Sequence, residues 1–397
     1  MDFTRKLSFL VFLLCVLISL KNQNAETNKA SWFSSYSSTF SQSPLSSRHM
    51  FSASKMEQKI QESQLSRPLR YDYYNESCPQ AEQIIKSTVQ ELYSLKPSIA
   101  PQLLRLVFHD CFIEGCDASV LLDSYDGIES EKDSPPNESL KGFDHIDIIK
   151  SELEGTCPGV VSCADILVLA ARESVLLAGG PFYPLYTGRR DSTVSYSEVA
   201  TFDLPSPQDD VVKITEKFAS RGFDERETVS LLGAHSTGMI HCKFILNRLY
   251  NFGGTKRPDP SINSEFLTLL RSQCKNNRTL FTPSASPAQT PSPSSSISVL
   301  SLALIQDPGM KMDYEGSGSG FGMLYYRSLL QGRGILYADQ QLTAGEDTET
   351  WVRAYASDAS LFQKEFAMAM MKLSNHRVLT APLGRVRSDC RRIDLES

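Results

Sequence analysis

From about residue 69 onward, apolar positions recur at helical rather than strand intervals. Residues 79–92 illustrate the pattern: Pro79 opens the segment, and Ala81, Ile84, Ile85 and Val89 share one face of a helix. The same spacing predicts helices over 99–108, 143–153, 163–177, 209–221, 225–232, 240–250, 264–273, 323–331, 348–356 and 360–373. Period-two alternation is scarce, so the expected fold class is all-α. Two tracts interrupt the periodicity. Residues 282–296 are Pro/Ser-rich and read as a solvated surface insertion. Residues 316–320 (GSGSG) read as flexible, and lack the Lys-Ser/Thr pair that a phosphate loop requires. No solenoid repeat is present.

The N-terminal part has a different character. Residues 7–20 (LSFLVFLLCVLISL) form an apolar run behind Arg5 and Lys6, shorter than the roughly 20 residues of a bilayer span and suited to a signal peptide. A signal over 1–25 is expected; residues 21–25 (KNQNA) make a poor cleavage site, which leaves an uncleaved anchor as the alternative. Residues 26–66 are Ser-rich and read as a disordered extension, ahead of a globular domain over 67–397. Lys+Arg 40 against Asp+Glu 46 gives a net charge of -6 with no basic run, which argues against nucleic-acid binding. Of the 9 cysteines, Cys15 lies in the apolar run and the others fall between Cys78 and Cys390. Export to an oxidising space makes the latter readable as four disulfides, among roughly a hundred possible pairings.

Two of the 6 histidines sit in unusual company. Arg105 and His109 are four residues apart, so a guanidinium and an imidazole project from one face of an otherwise apolar helix. Such a pair suits cleavage of a peroxide O–O bond: neutral imidazole carries the proton between the two oxygens while the cation stabilises developing negative charge. Phe108 would limit the space above the reacting atoms. His235, in Gly233-Ala234-His235-Ser236, suits a metal or haem ligand if its other ring nitrogen donates to a carboxylate, for which Asp339 is the candidate. A serine hydrolase built on Ser236 fails, because no Gly-x-Ser-x-Gly elbow surrounds it. A zinc protease fails too, since no His-Glu-x-x-His occurs.

Arg105, His109-Asp110-Cys111-Phe112, Gly115-Cys116-Asp117, Ser119, Glu131-Lys132-Asp133, Val161-Ser162-Cys163-Ala164-Asp165, Gly188-Arg189-Arg190-Asp191 and Gly233-Ala234-His235-Ser236 follow one another in an order that resembles the secretory class III plant haem peroxidases. The resemblance runs from about Tyr71 to Cys390. It implies distal and proximal helical halves enclosing haem b, with His109 as acid/base, Arg105 as transition-state stabiliser and Asn137 as the acceptor that raises the basicity of His109. His235 would be the axial iron ligand and Asp339 its hydrogen-bond acceptor. Asn137 also opens a glycosylation sequon, with the family position favouring the buried role; Asn75 and Asn277 are the better glycan candidates.

Calcium follows from the same helix end, with a solvated acidic turn as the alternative. Asp110, Asp117 and Ser119, with backbone carbonyls at Ile113 and Gly115, would supply hard oxygens, Glu131 being held through water. For a second calcium the family pattern points to Ser236, with Asp313 and Ser317 as stand-ins; its final Asp is missing, since Phe321-Gly322-Met323 replaces Phe-Asp-Asn ahead of Tyr325-Tyr326. The implied disulfides are Cys78 with Cys157, Cys111 with Cys116, Cys163 with Cys390, and Cys242 with Cys274. Asp165 and Arg189 resemble the family's buried ion pair.

The implied activity is H2O2 reduction through ferryl intermediates, coupled to oxidation of small phenolic donors at a haem edge near Pro205, Ser206 and Phe244, with roles in cell-wall, lignin or stress-related oxidation. The expected form is a secreted monomer without a stable membrane span, in the apoplast rather than the vacuole. The alternative is a secreted structural or wall-binding protein, stabilised by haem and calcium, with weak turnover; the intact set of Arg105, His109, Asn137 and His235 favours the enzyme.

Overall fold

The computed structural model describes residues 68–125, 127–274, 309–312 and 321–393. The expected signal over 1–25, the extension over 26–66, the 282–296 insertion, Asn277, Asp313 and Ser317 lie outside the described residues. Helices predominate, in the order α1 (Ala81–Leu95), α2 (Ile99–Cys111), α3 (Phe143–Thr156), α4 (Cys163–Leu177), α5 (Ser197–Asp203), α6 (Val211–Ser220), α7 (Glu225–Leu232), α8 (Leu246–Tyr250), α9 (Ser264–Gln273), α10 (Met323–Leu329), α11 (Tyr337–Gln341), α12 (Glu346–Ser357) and α13 (Ala359–Ser374).

One predicted helix is corrected. Residues 240–250 form no continuous helix: Met239–His241 is a strand, β1, antiparallel to β2 (Gly309–Lys311), with Ile240 opposite Met310. Gly238, at φ 104, redirects the chain into this ribbon; a 3-10 turn follows at Cys242–Phe244, and α-helix begins only at Leu246. The short helices α5 and α11 carry too few turns to show a period.

The main core is built around α4, which is buried throughout Cys163–Val175 and packs against α1, α2 and α3. Its apolar side chains face every direction while Asp165, Arg172 and Glu173 are held in ion pairs, a pattern that belongs at the centre of such a layer. A second apolar cluster, including Ile245, Leu249, Phe266 and Leu270, lies beneath the ribbon and α8–α9. All four implied disulfides are present. The Cys163–Cys390 bridge spans 227 residues, a loop whose closure constrains the unfolded chain by on the order of 5 kcal/mol. Asp165 and Arg189 pair at 2.7 Å with both side chains fully buried, and Tyr74 Oη donates to the second carboxylate oxygen at 2.7 Å.

Candidate functional site

Helix α2 begins with Pro101 in its first turn, where no backbone donor is lost, and buries nearly all of its last two turns. Its packing on α4 fixes the direction in which Arg105 and His109 project. Arg105 donates to Ser139 Oγ at 3.1 Å and to Pro136 O at 3.0 Å. His109 Nδ1 lies 2.6 Å from Asn137 Oδ1. The Asn137 amide is oriented independently, because its Nδ2 donates to Glu131 O at 2.8 Å. Oδ1 must then accept, so Nδ1 of His109 carries the proton and Nε2 is left as the basic nitrogen. Burial, reinforced by the Arg105 charge, pushes the His109 pKa well below the usual imidazole range, and His235 adds to the same direction. The imidazole is therefore neutral at physiological pH. Burial also draws Arg105 down to about 10, which leaves it a cation there. Asn137 is buried with both amide atoms hydrogen-bonded, which favours the acceptor role over glycosylation, whereas Asn75 is exposed.

On the other half, α7 starts with a capping box between Asp224 and Glu227 and runs into the 3-10 turn Gly233–Ser236. This turn presents His235, whose Nδ1 donates to Asp339 Oδ1 at 2.7 Å. Asp339 is fully buried on α11, and its Oδ2 has no hydrogen-bond partner. A carboxylate accepting from Nδ1 holds the imidazole in the tautomer that leaves Nε2 free to bind a metal. This donor set fits a haem iron in its chemistry: His235 is an oriented imidazole that would hold the iron, and the neutral His109 imidazole with the Arg105 guanidinium is suited to peroxide.

The loop after α2 gathers Asp110, Asp117, Ser119 and Glu131, all buried. Asp110 accepts from Ala118 N at 3.0 Å and Val120 N at 3.3 Å, and Asp117 from Ser119 N at 3.0 Å. Burial, with the charges of Asp117 and Glu131, raises the Asp110 carboxyl well above its ordinary range. Burial likewise raises Asp117 to about 6 and Glu131 to about 7. Ser119 Oγ and Glu131 Oε2 are neighbours, yet neither makes a hydrogen bond of good geometry. Clustered acids that repel one another beside unpartnered oxygens are what a bound divalent cation would relieve. Among the described residues no three His, Cys, Asp or Glu side chains form a metal group by themselves, so the shell must draw on Ser119 and on carbonyls such as those of Ile113 and Gly115. Gly115 has φ 136, and a Cβ there would stand 2.3 Å from Arg377 O, so the turn requires glycine.

The sites are joined by contacts that spacing alone did not reveal. Glu131 connects the acidic loop to His109 through the Asn137 amide. Ser139, two residues beyond Asn137, anchors Arg105. Tyr325 Oη donates to Asp339 Oδ1 at 2.9 Å. Near the expected second calcium, Ser236 Oγ is buried without a partner, but Gly322 occupies the position of the missing acid, at φ 102, where a Cβ would lie 1.9 Å from Phe362. Pro205, Ser206 and Phe244 are partly exposed. The Pro207 carbonyl accepts from Ala338 N at 3.1 Å, tying that loop to α11, and Lys243 Nζ stands 5.1 Å above the Phe244 ring. No helix among the described residues is long and apolar enough to cross a membrane.

A family model described as Peroxidase matches residues 85–358. The chain is similar to Putative Peroxidase 48 of Arabidopsis thaliana, at 54% identity over 81% of this chain and 82% of that protein. It is also similar to Peroxidase 57, at 38% over 82% and 93%, and to Peroxidase 23, at 38% over 84% and 88%, both from the same organism.

Proposed function

The chain belongs to the class III plant peroxidases, and from that premise we propose that His109, Arg105 and Asn137 perform its peroxide chemistry while His235 and Asp339 hold the iron of haem b. The haem, when bound, supplies the iron and the store of oxidising equivalents. His109 Nε2 would take a proton from one peroxide oxygen and return it to the other, which leaves as water. Asn137 stabilises the imidazolium by accepting from Nδ1. Arg105 faces the negative charge that develops as the O–O bond breaks.

The single observation carrying this reading is the pair of oriented imidazoles, each fixed through Nδ1 by a buried acceptor that leaves Nε2 available. Peroxidase activity is the family's function. Small phenols are the proposed donors, since one-electron transfer near Pro205, Ser206 and Phe244 needs little specific binding. One calcium is assigned to the Asp110–Ser119 loop; Ser236 favours a second, but the absence of room at Gly322 weighs against it. Secretion to the apoplast, as a monomer, accords with the N-terminal apolar run and the four disulfides.

The test is H2O2-dependent phenol oxidation by haem-loaded wild type and His109→Ala. The variant should keep haem and lose about 10²–10⁴-fold in rate, the usual contribution of a positioned acid/base. Equal rates at equal haem content would remove His109 from the mechanism.

A further inference from the structure

Asp339 Oδ1 serves two donors. His235 Nδ1 lies at 2.7 Å and the Tyr325 hydroxyl at 2.9 Å, while Oδ2 of the same carboxylate is buried without a partner. Tyr325 is fully buried near the start of α10, and its ring meets that of His235 edge-on, with centroids 6.5 Å apart. The adjacent Tyr326 packs 5.0 Å away, and the entry to α10 is pinned by the close approach of Gly322 to Phe362. The hydroxyl is therefore aimed at the carboxylate by the packing of the helix.

A carboxylate oxygen that accepts one strong bond offers less charge to another donor, an effect magnified where water is excluded. We propose that Tyr325 is a positioning residue that sets how much of the Asp339 charge reaches the axial imidazole. By occupying Oδ1 it restrains the imidazolate character of His235 and holds the iron's reduction potential above the value Asp339 alone would give. The inference rests on His235 being the axial ligand. Tyr325 acts through Asp339 and touches neither donor nor peroxide.

Tyr326 supplies the internal control, since its ring is equally buried but its hydroxyl donates to the backbone carbonyl of Val229 at 2.9 Å and makes no hydrogen bond to the carboxylate. The experiment compares haem-loaded wild type, Tyr325→Phe and Tyr326→Phe by spectroelectrochemistry and by the iron–imidazole stretch in resonance Raman spectra of the ferrous state. Tyr325→Phe should lower the Fe(III)/Fe(II) midpoint and raise the stretching frequency, with Tyr326→Phe unchanged in both. Incorporating 3-fluorotyrosine at position 325, a more acidic donor of nearly the same shape, should move both readouts the opposite way and covers the case in which the Phe variant does not hold haem. An unchanged or raised midpoint in Tyr325→Phe, equal shifts in the two Phe variants, or no response to fluorination would overturn the proposal. Wild type lacking an iron–imidazole stretch would instead remove the axial assignment on which it stands.

Discussion

Replacing Asn137 by Val isolates the link between the acidic loop and the distal imidazole. The substitution deletes the acceptor 2.6 Å from His109 Nδ1 and the donor 2.8 Å from Glu131 O. His109 Nδ1 is left buried without an acceptor, at a cost of about 1–3 kcal/mol, whereas Glu131 O still accepts from Ser134 N at 3.1 Å and Ser134 Oγ at 2.7 Å. Stability should fall by about 1–3 kcal/mol, the cost of the one group left without a partner. Only the bond to His109 strengthens as the imidazole gains a proton, so the rate should fall by the equivalent of about 1–3 kcal/mol, or about 5- to 150-fold. Asn137→Asp retains an acceptor for Nδ1 but loses the donor to Glu131 O. It should therefore stay nearer wild type in rate than in stability. Stopped-flow measurement of the Soret change against H2O2 concentration gives the second-order rate, and denaturant unfolding gives the stability. A Val variant that holds haem and reacts within twofold of wild type would refute the reasoning.

Three further outcomes follow from the same contacts. Without calcium, Glu131 and Asp117 titrate at about 7 and about 6, above unfolded values of about 4; the folded state then holds protons the unfolded chain lacks, so stability is lost as pH rises through this window. Thermal unfolding in chelator should show a lower Tm at about pH 8 than at about pH 5.5, with calcium reducing the difference, and an identical pH trend with and without the ion would count against the site. Asp165→Asn leaves the buried Arg189 charge without its carboxylate and should cost about 3–5 kcal/mol in denaturant unfolding, as breaking one side of a buried pair generally does. Gly322→Asp restores an acid but forces a Cβ to within 1.9 Å of Phe362, so metal analysis should still find one calcium per chain and Tm should fall.

Much of this arrangement is legible in the sequence because the relevant signals are local. The i, i+4 spacing of Arg105 and His109 survives as geometry on α2, and the amphipathic periods of α1, α6 and α13 match helices within a few residues. The family resemblance supplied the disulfide pairings that spacing left open. What escaped was determined by distant chain segments. The 240–250 segment has helical composition, but Gly238 and pairing with residues 309–311 make its start a strand, a tertiary override of local preference. Likewise, nothing beside Tyr325 announces that its hydroxyl meets a carboxylate on another helix, and nothing beside Glu131 announces that its carbonyl orients Asn137.

The central claim, a haem held by His235 and attacked by peroxide under the control of His109, is tested most directly by the visible spectrum of the full, haem-loaded chain before and after one equivalent of H2O2. The expected result is a Soret band that His235→Ala cannot sustain, a peroxide-induced change within the mixing time scale, and full return after two one-electron phenolic donors are consumed. A chain that binds no haem, or whose Soret band is indifferent to peroxide, would contradict it.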